Sequence, residues 1–348
     1  MNKKPFQWAI VGAGPAGIAA LGRLIDSGIA PDNILWLDPH FKVGDLGLFW
    51  RNVSSNTSVE KFLAFLQASP AFRYSQSSVD FLLNHHNPED TCVLSDIVEP
   101  LQWVSDHLYQ QVNSKHGLVH GLTLKERIWH LSSGSELFKA ENVILATGSL
   151  PSALNYPGVD VISFDKAIDK ERLAATIDVE KTYGVFGSSH SAIIIVRHLV
   201  ELGVKKIINF YRSPCRYALD MGEWILFDNT GLKGQTAQWA RENIDGTLPL
   251  NLVRYTINDH SITNYLPECD QVIYAVGFEQ RKNLIIGDYE HANYNPHVGI
   301  IGPGLFGLGI AYPEIKPDNL GSVEKQVGLW KFMVYLNKVL PIWLRYHA

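Results

Sequence analysis

Gly12, Gly14 and Gly17 have the spacing G-x-G-x-x-G, in the run Gly12-Ala13-Gly14-Pro15-Ala16-Gly17. That spacing suits the pyrophosphate of a dinucleotide: the first glycine permits a tight turn, the second lets phosphate approach the backbone, and the third lets a helix pack on a strand. Asp38 follows 26 residues after Gly12, where a carboxylate accepts hydrogen bonds from a ribose and repels a 2′-phosphate. A degenerate copy, Gly187-Ser188-Ser189-His190-Ser191-Ala192, begins 175 residues later. Ser189 occupies the place of the second glycine, where any Cβ crowds a pyrophosphate. Ala192 in the third place only sets helix packing. Arg212, 25 residues after Gly187, stands where the acid would be. An arginine there suits a 2′-phosphate, as in NADPH rather than NADH; taken alone it also reads as a solvated loop charge. His190, at a helix start, could contact a nucleotide or simply cap the helix.

The elements that would hold these residues are legible around them. Gln7–Val11 is an apolar strand, a helical run continues through Leu24 and Ile25, and the strand Asn33–Leu37 ends at Asp38. The helix start would offer free N–H groups to phosphate. Thr182–Phe186, a helix from Ile193 to about Leu202 and the strand Lys206–Tyr211 repeat this order. Glu141–Gly148 and Asp270–Gly277 are both strands that run into small-residue turns. Leu118–Phe138 alternates as a meander does, and from Ser58 to His107 the texture is aromatic and helical.

Composition bounds the rest. The 348 residues suggest roughly two domains. A net charge of −5 argues against general affinity for nucleic acid or anionic lipid. Cys92, Cys215 and Cys269 form no C-x-x-C, so neither a secreted disulfide scaffold nor a dithiol close in sequence is expected. The thirteen histidines include no spaced ligand set, so no metal is expected. No signal-peptide pattern and no integral membrane segment are found, and a cytoplasmic location is expected. The apolar tail from Val323 to Tyr346 reads as a helix packed on the first domain, as a homodimer contact, or as a membrane-surface helix.

Two dinucleotide folds, each closed by an A-[TV]-G strand end (Ala146-Thr147-Gly148 and Ala275-Val276-Gly277), resemble the two-domain flavoprotein oxidoreductases. That family includes thioredoxin reductases, disulfide reductases and flavin-containing monooxygenases, and the likeness spans roughly residues 6 to 330. It implies an α/β fold of two Rossmann-like dinucleotide-binding domains, each a three-layer ββα arrangement. Residues 1–150 and 285–348, with a helical insertion at about 58–110, would bind FAD, and residues 151–284, inserted between them, NAD(P)H. Gly12, Gly14, Pro15, Ala16, Gly17, Asp38 and Pro39 would hold FAD, with Thr147, Gly148 and the returning Gly304 close by. Gly187, Ser188, Ser189, His190, Ser191, Arg212 and Gly277 would face NADPH, with NADH open.

The stretch from Phe49 to Lys61 resembles the flavin-containing monooxygenases, which have an aromatic residue, a polar run, and then Asn followed by Ser or Thr. The resemblance puts the Asn56 amide at the flavin's reactive edge as the catalytic group, with Trp50 and Thr57 among the cofactor-binding residues; as plain sequence, Asn56 also reads as a helix cap or turn residue. The family's histidine-containing fingerprint between the domains is missing, as is the Gly-Asp pair in Pro303–Tyr312. The implied activity is an FAD-dependent NAD(P)H oxidoreductase, with hydride passing from NADPH to flavin and on to oxygen or a small substrate. Alternatives are a non-dithiol flavin reductase serving a protein or small acceptor, and a flavin-binding protein with a decayed NAD(P) site.

Overall fold

The computed structural model describes residues 4–281, 283–287 and 293–346. The chain divides into two compact units, one comprising residues 1–51, 58–149 and 280–348, the other residues 52–57 and 150–279.

The first unit is built on the strands Phe6–Val11 and Ile34–Asp38, which pair in parallel with Val11 opposite Leu37. The Phe6–Val11 strand also pairs in parallel with Glu136–Leu145. Side chains alternate between the sheet faces. Trp8, Ile10, Ile34 and Trp36 enter one core, and Ala9, Val11, Leu35 and Leu37 enter the other. Both faces are therefore apolar, as a covered parallel sheet requires.

Four helices, Pro15–Asp26, Val59–Gln67, Leu94–Gln111 and Leu329–Trp343, cover the first face. On the second face lies the meander Val119–Lys125, Ile128–Ser133 and Glu136–Leu145. Its first turn, Glu126-Arg127, has both residues at positive φ, a hairpin geometry usually reserved for Asn and Gly. The Glu136–Leu145 strand serves both layers. Its first half pairs antiparallel with Ile128–Ser133, and its second half pairs in parallel with Phe6–Val11 and Leu305–Gly307. The tail is a helix packed on this unit, with Met333, Leu336, Val339 and Trp343 fully buried.

The second unit has a five-stranded parallel sheet in the order Asp160–Val161, Gln271–Tyr274, Thr182–Phe186, Lys206–Tyr211, Leu252–Thr256. Phe186 stacks on Phe210 at 4.7 Å in its core. In both units the glycine-bearing strand lies where the strand order reverses, and in open α/β sheets ligands bind beyond the carboxyl ends at that point.

Candidate functional site

In the first unit, Gly12 N–H donates to Leu37 O and Ala146 N–H to Val11 O, both at 2.8 Å. The turn Gly12–Gly17 and the strand end Ala146-Thr147-Gly148 therefore meet at one sheet edge. The three glycines do different work there. A Cβ on Gly12 would lie 2.2 Å from Ala146 O, and one on Gly17 1.9 Å from Gly12 O. Protein packing explains both. It does not explain Gly14, whose Cβ would find nothing nearer than Gly44 Cα at 3.8 Å and whose φ of −76° suits any residue. The space left open at Gly14 fits a diphosphate beside the N-terminus of the Pro15–Asp26 helix.

Asp38 is more occupied than the motif suggests. One oxygen accepts Ala13 N–H at 2.8 Å, the other the N–H groups of His40 (2.8 Å) and Phe41 (2.7 Å). The carboxylate thus pins the glycine turn and closes its own loop, and a ribose hydroxyl would be a fourth partner. Trp36 adds a second pin, its indole N–H donating to Gly12 O at 2.9 Å. Pro39 O faces His116 Nδ1 at 3.3 Å. Trp50 ends the short Gly44–Phe49 helix and is half-buried.

Gly304 does not reach this edge. Its carbonyl accepts Val143 N–H at 2.8 Å, before the strand Leu305–Gly307 begins. The small residue at the carboxyl end is Gly309, where an added Cβ would lie 2.7 Å from Ala16 Cβ. Sequence reading also missed Gly44, whose Cβ would lie 3.0 Å from Gly14 Cα, and Arg281. That arginine pairs with Asp45 at 2.6 Å, and its Nε would be 3.8 Å from a Cβ on Gly148. No motif marks it, because its link to Asp45 spans 236 positions. Thr147 Oγ1 is buried without a well-formed hydrogen bond, and the Tyr312 hydroxyl lies beside it.

The second unit repeats the arrangement. Gly187 N–H donates to Phe210 O at 2.8 Å and Ala275 N–H to Phe186 O at 2.9 Å, joining the turn Gly187–Ser191 to the strand end that leads to Gly277. In the place of Trp36 stands Asn209, fully buried. Its amide donates to Gly187 O at 2.8 Å and Val185 O at 2.9 Å, and its oxygen accepts from Arg254 Nε at 2.8 Å. Ser189 has φ −89° and ψ −177°, close to Gly14; it is exposed and makes no capping bond. Ser188 Oγ donates to Ser213 O at 2.7 Å, which ties the Arg212 loop to the turn. Arg212 is exposed. His190 begins the His190–Glu201 helix. Burial is the main cause that pushes its pKa down to about 4, so the ring is neutral at physiological pH.

Asn56 is exposed, on the strand Ser54–Ser58. The following helix is capped by Ser58 with no side-chain bond, so Asn56 is not a helix cap. Ser55 Oγ accepts Thr57 N–H at 2.8 Å and donates to Thr57 O at 2.9 Å, bracing the strand backbone on either side of Asn56. The Thr57 hydroxyl donates to Asn56 Oδ1 at 3.3 Å.

Among the described residues no group of His, Cys, Asp and Glu could hold a metal ion, and no helix is long and apolar enough to cross a membrane.

Two sheets, one mixed and one parallel, each with a glycine turn where its parallel strands reverse order, together with the family match below, define the class: a flavoprotein oxidoreductase with two dinucleotide folds. The chain belongs to the pyridine nucleotide-disulphide oxidoreductase family, whose model matches residues 6–301, and it is an FAD-dependent oxidoreductase. It is 32% identical over 390 aligned residues to the monooxygenase AgnR1 of Paecilomyces divaricatus, covering 96% of this chain and 97% of that protein. Its fold is similar to that of a flavin-containing monooxygenase from Stenotrophomonas maltophilia, with 11% identity, a TM-score of 0.66 and 99% of both chains covered. A bacillithiol disulfide reductase from Staphylococcus aureus matches equally well, with 12% identity, a TM-score of 0.65 and 99% of both chains covered. Fold alone therefore does not choose between oxygen and a disulfide as the final acceptor.

Proposed function

We propose that the chain is a monooxygenase that uses FAD and NADPH to oxygenate a small molecule. In this reading residues 1–150 and 285–348 hold FAD and residues 151–284 hold NADPH. The observation that carries it is the absence of a working dithiol in a fold shared with disulfide reductases. Cys92, Cys215 and Cys269 are all free thiols. Burial pushes Cys92 up to about 11 and Cys269 up to about 12, and raises Cys215 as well. At neutral pH these are protonated thiols, poor nucleophiles for disulfide exchange. Electrons then need another acceptor, and the full-length likeness to a monooxygenase supports oxygen.

When bound, FAD supplies the acceptor for the NADPH hydride and the electron donor to oxygen. The residues of the chain bind and orient. The open side of Gly14 and the helix N–H groups behind it take the diphosphate, and Asp38 keeps Ala13 in register. The Asn56 amide offers a donor and an acceptor without charge to the reacting edge. The free Ser189 hydroxyl can donate to a phosphate oxygen of NADPH, and Arg212 selects the 2′-phosphate.

The test is oxygen uptake. With NADPH and air the protein should consume oxygen, and added disulfide should not speed NADPH oxidation. In the same assay Arg212→Ala raises KM for NADPH by about 10- to 100-fold, the range expected when one charge-assisted contact is lost. KM for NADH moves by less than about twofold, since no phosphate contact is involved. Disulfide-dependent turnover contradicts the proposed acceptor, and equal shifts for both nucleotides contradict the role of Arg212.

A further inference from the structure

The segment Asn52–Thr57, which carries Asn56, belongs to the second unit although the chain on either side of it belongs to the first. What holds it there is specific. Asn52 Nδ2 donates to Asp169 Oδ2 at 2.9 Å, a contact between residues 117 positions apart. The Asp169 side chain is 3% exposed and caps the Lys170–Ala174 helix. Its Oδ1 accepts the N–H groups of Glu171 at 3.0 Å and Arg172 at 3.1 Å. The two oxygens thus have separate duties, one for the helix and one for Asn52. Burial works to raise the pKa of Asp169, but the hydrogen bonds from Arg172 N–H, the Asn52 amide and Glu171 N–H outweigh it and hold the carboxyl below its ordinary value. Further along, the Ser54 backbone lies against His190, the first residue of the helix after the second glycine turn, and buried Ser55 braces Thr57. Asn52 is exposed, so burial of its side chain does not account for its placement.

We propose that Asn52 and Asp169 are positioning residues, a latch that makes the Asn56 segment part of the nucleotide-binding unit, so that a nucleotide at Gly187–Ser191 orders Asn52–Thr57 through His190. The inference rests on the reading of the second unit as the NADPH site and of Asn56 as the group at the reacting edge. It assigns the orientation of that amide to the nucleotide side.

The separate duties of the two Asp169 oxygens provide the test. Asn52→Asp sets two carboxylates face to face and leaves the helix cap untouched. Adding Asp169→Asn restores a donor and an acceptor in reversed order, with the asparagine oxygen still free to cap. Amide hydrogen exchange of Ser54–Thr57 is measured on the purified protein with and without NADP⁺, and NADP⁺ affinity is measured by calorimetry on the same samples. Asn52→Asp is expected to lower protection of these amides by about tenfold or more and to abolish the added protection that NADP⁺ confers. The swapped pair returns both to within about twofold of the parent. Parental protection in Asn52→Asp, or a swapped pair no better than Asn52→Asp, overturns the latch. If the parent protein binds no NADP⁺, the nucleotide-site reading fails instead, while the exchange difference without nucleotide still decides whether the latch exists.

Discussion

Gly14→Ala should fold and purify without bound flavin, whereas Gly12→Ala should not accumulate as folded protein. The two glycines lie two residues apart in one motif, yet packing treats them oppositely. At Gly12 the backbone has φ +112° and an added Cβ would sit 2.2 Å from Ala146 O and 2.9 Å from its carbonyl carbon. Both partners are main chain at the buried junction of two strands, so neither can move aside. The cost is about 3–5 kcal/mol, a large part of the stability of an ordinary domain. At Gly14 a methyl group meets no protein atom within 3.8 Å, so the flavin-free protein should melt within a few degrees of the parent. The methyl does occupy the space a diphosphate needs, and FAD affinity should fall by about tenfold or more, corresponding to at least ~1.4 kcal/mol. Thermal melting of the flavin-free proteins and titration with FAD separate the two effects. If Gly14→Ala takes up FAD like the parent, the turn is not the diphosphate site.

Asn56→Ala should cut product formation by about 100-fold, the usual loss when one preorganised hydrogen-bond donor is removed from a reacting centre. Anaerobic reduction by NADPH should change by less than about twofold, because hydride transfer does not involve this amide in the proposed reading. NADPH would still be consumed in air, with its electrons recovered as hydrogen peroxide rather than product. Asn56→Asp should do no better, since a carboxylate keeps the acceptor, loses the donor and adds charge. Rapid-mixing reduction kinetics and a peroxide assay read the two halves separately. Product formation within about twofold of the parent would remove Asn56 from the chemistry. Its exposure on the Ser55-braced strand is what makes the substitution clean, as no core contact is lost.

The parts of this design that sequence made legible are those written locally. The first βαβ unit, from Phe6 to Asp38, occupies 33 consecutive residues, and Gly12 and Gly17 in it answer to a neighbour in that span or at the next strand end. The second unit was readable despite Ser189 because strand, turn, helix and strand recur in the same order. The meander was readable from alternation, but its Glu126-Arg127 turn was not, since neither residue type signals positive φ.

Contacts made across long separations were invisible. Arg281 reaches Asp45 over 236 positions, and Asn52 reaches Asp169 over 117; hydrophobic period and turn chemistry carry no information at that range. Gly304 and Gly309 show the same limit on a smaller scale. Both lie in one glycine-rich stretch, and only the register of Leu305–Gly307 against Val143–Leu145 decides which of them stands at the carboxyl edge. Asp38 is expected from sequence as a ribose ligand, and the three backbone N–H groups it accepts, which no motif announces, give it a turn-holding duty as well.

The most direct measurement is an anaerobic titration of the purified protein with NADPH, followed in the visible flavin absorbance, and then admission of air. The protein should carry FAD, lose the visible band with one equivalent of NADPH, and regain it with oxygen alone, without a disulfide. A protein that takes up no flavin, or whose flavin stays oxidised under saturating NADPH, would contradict the proposed function.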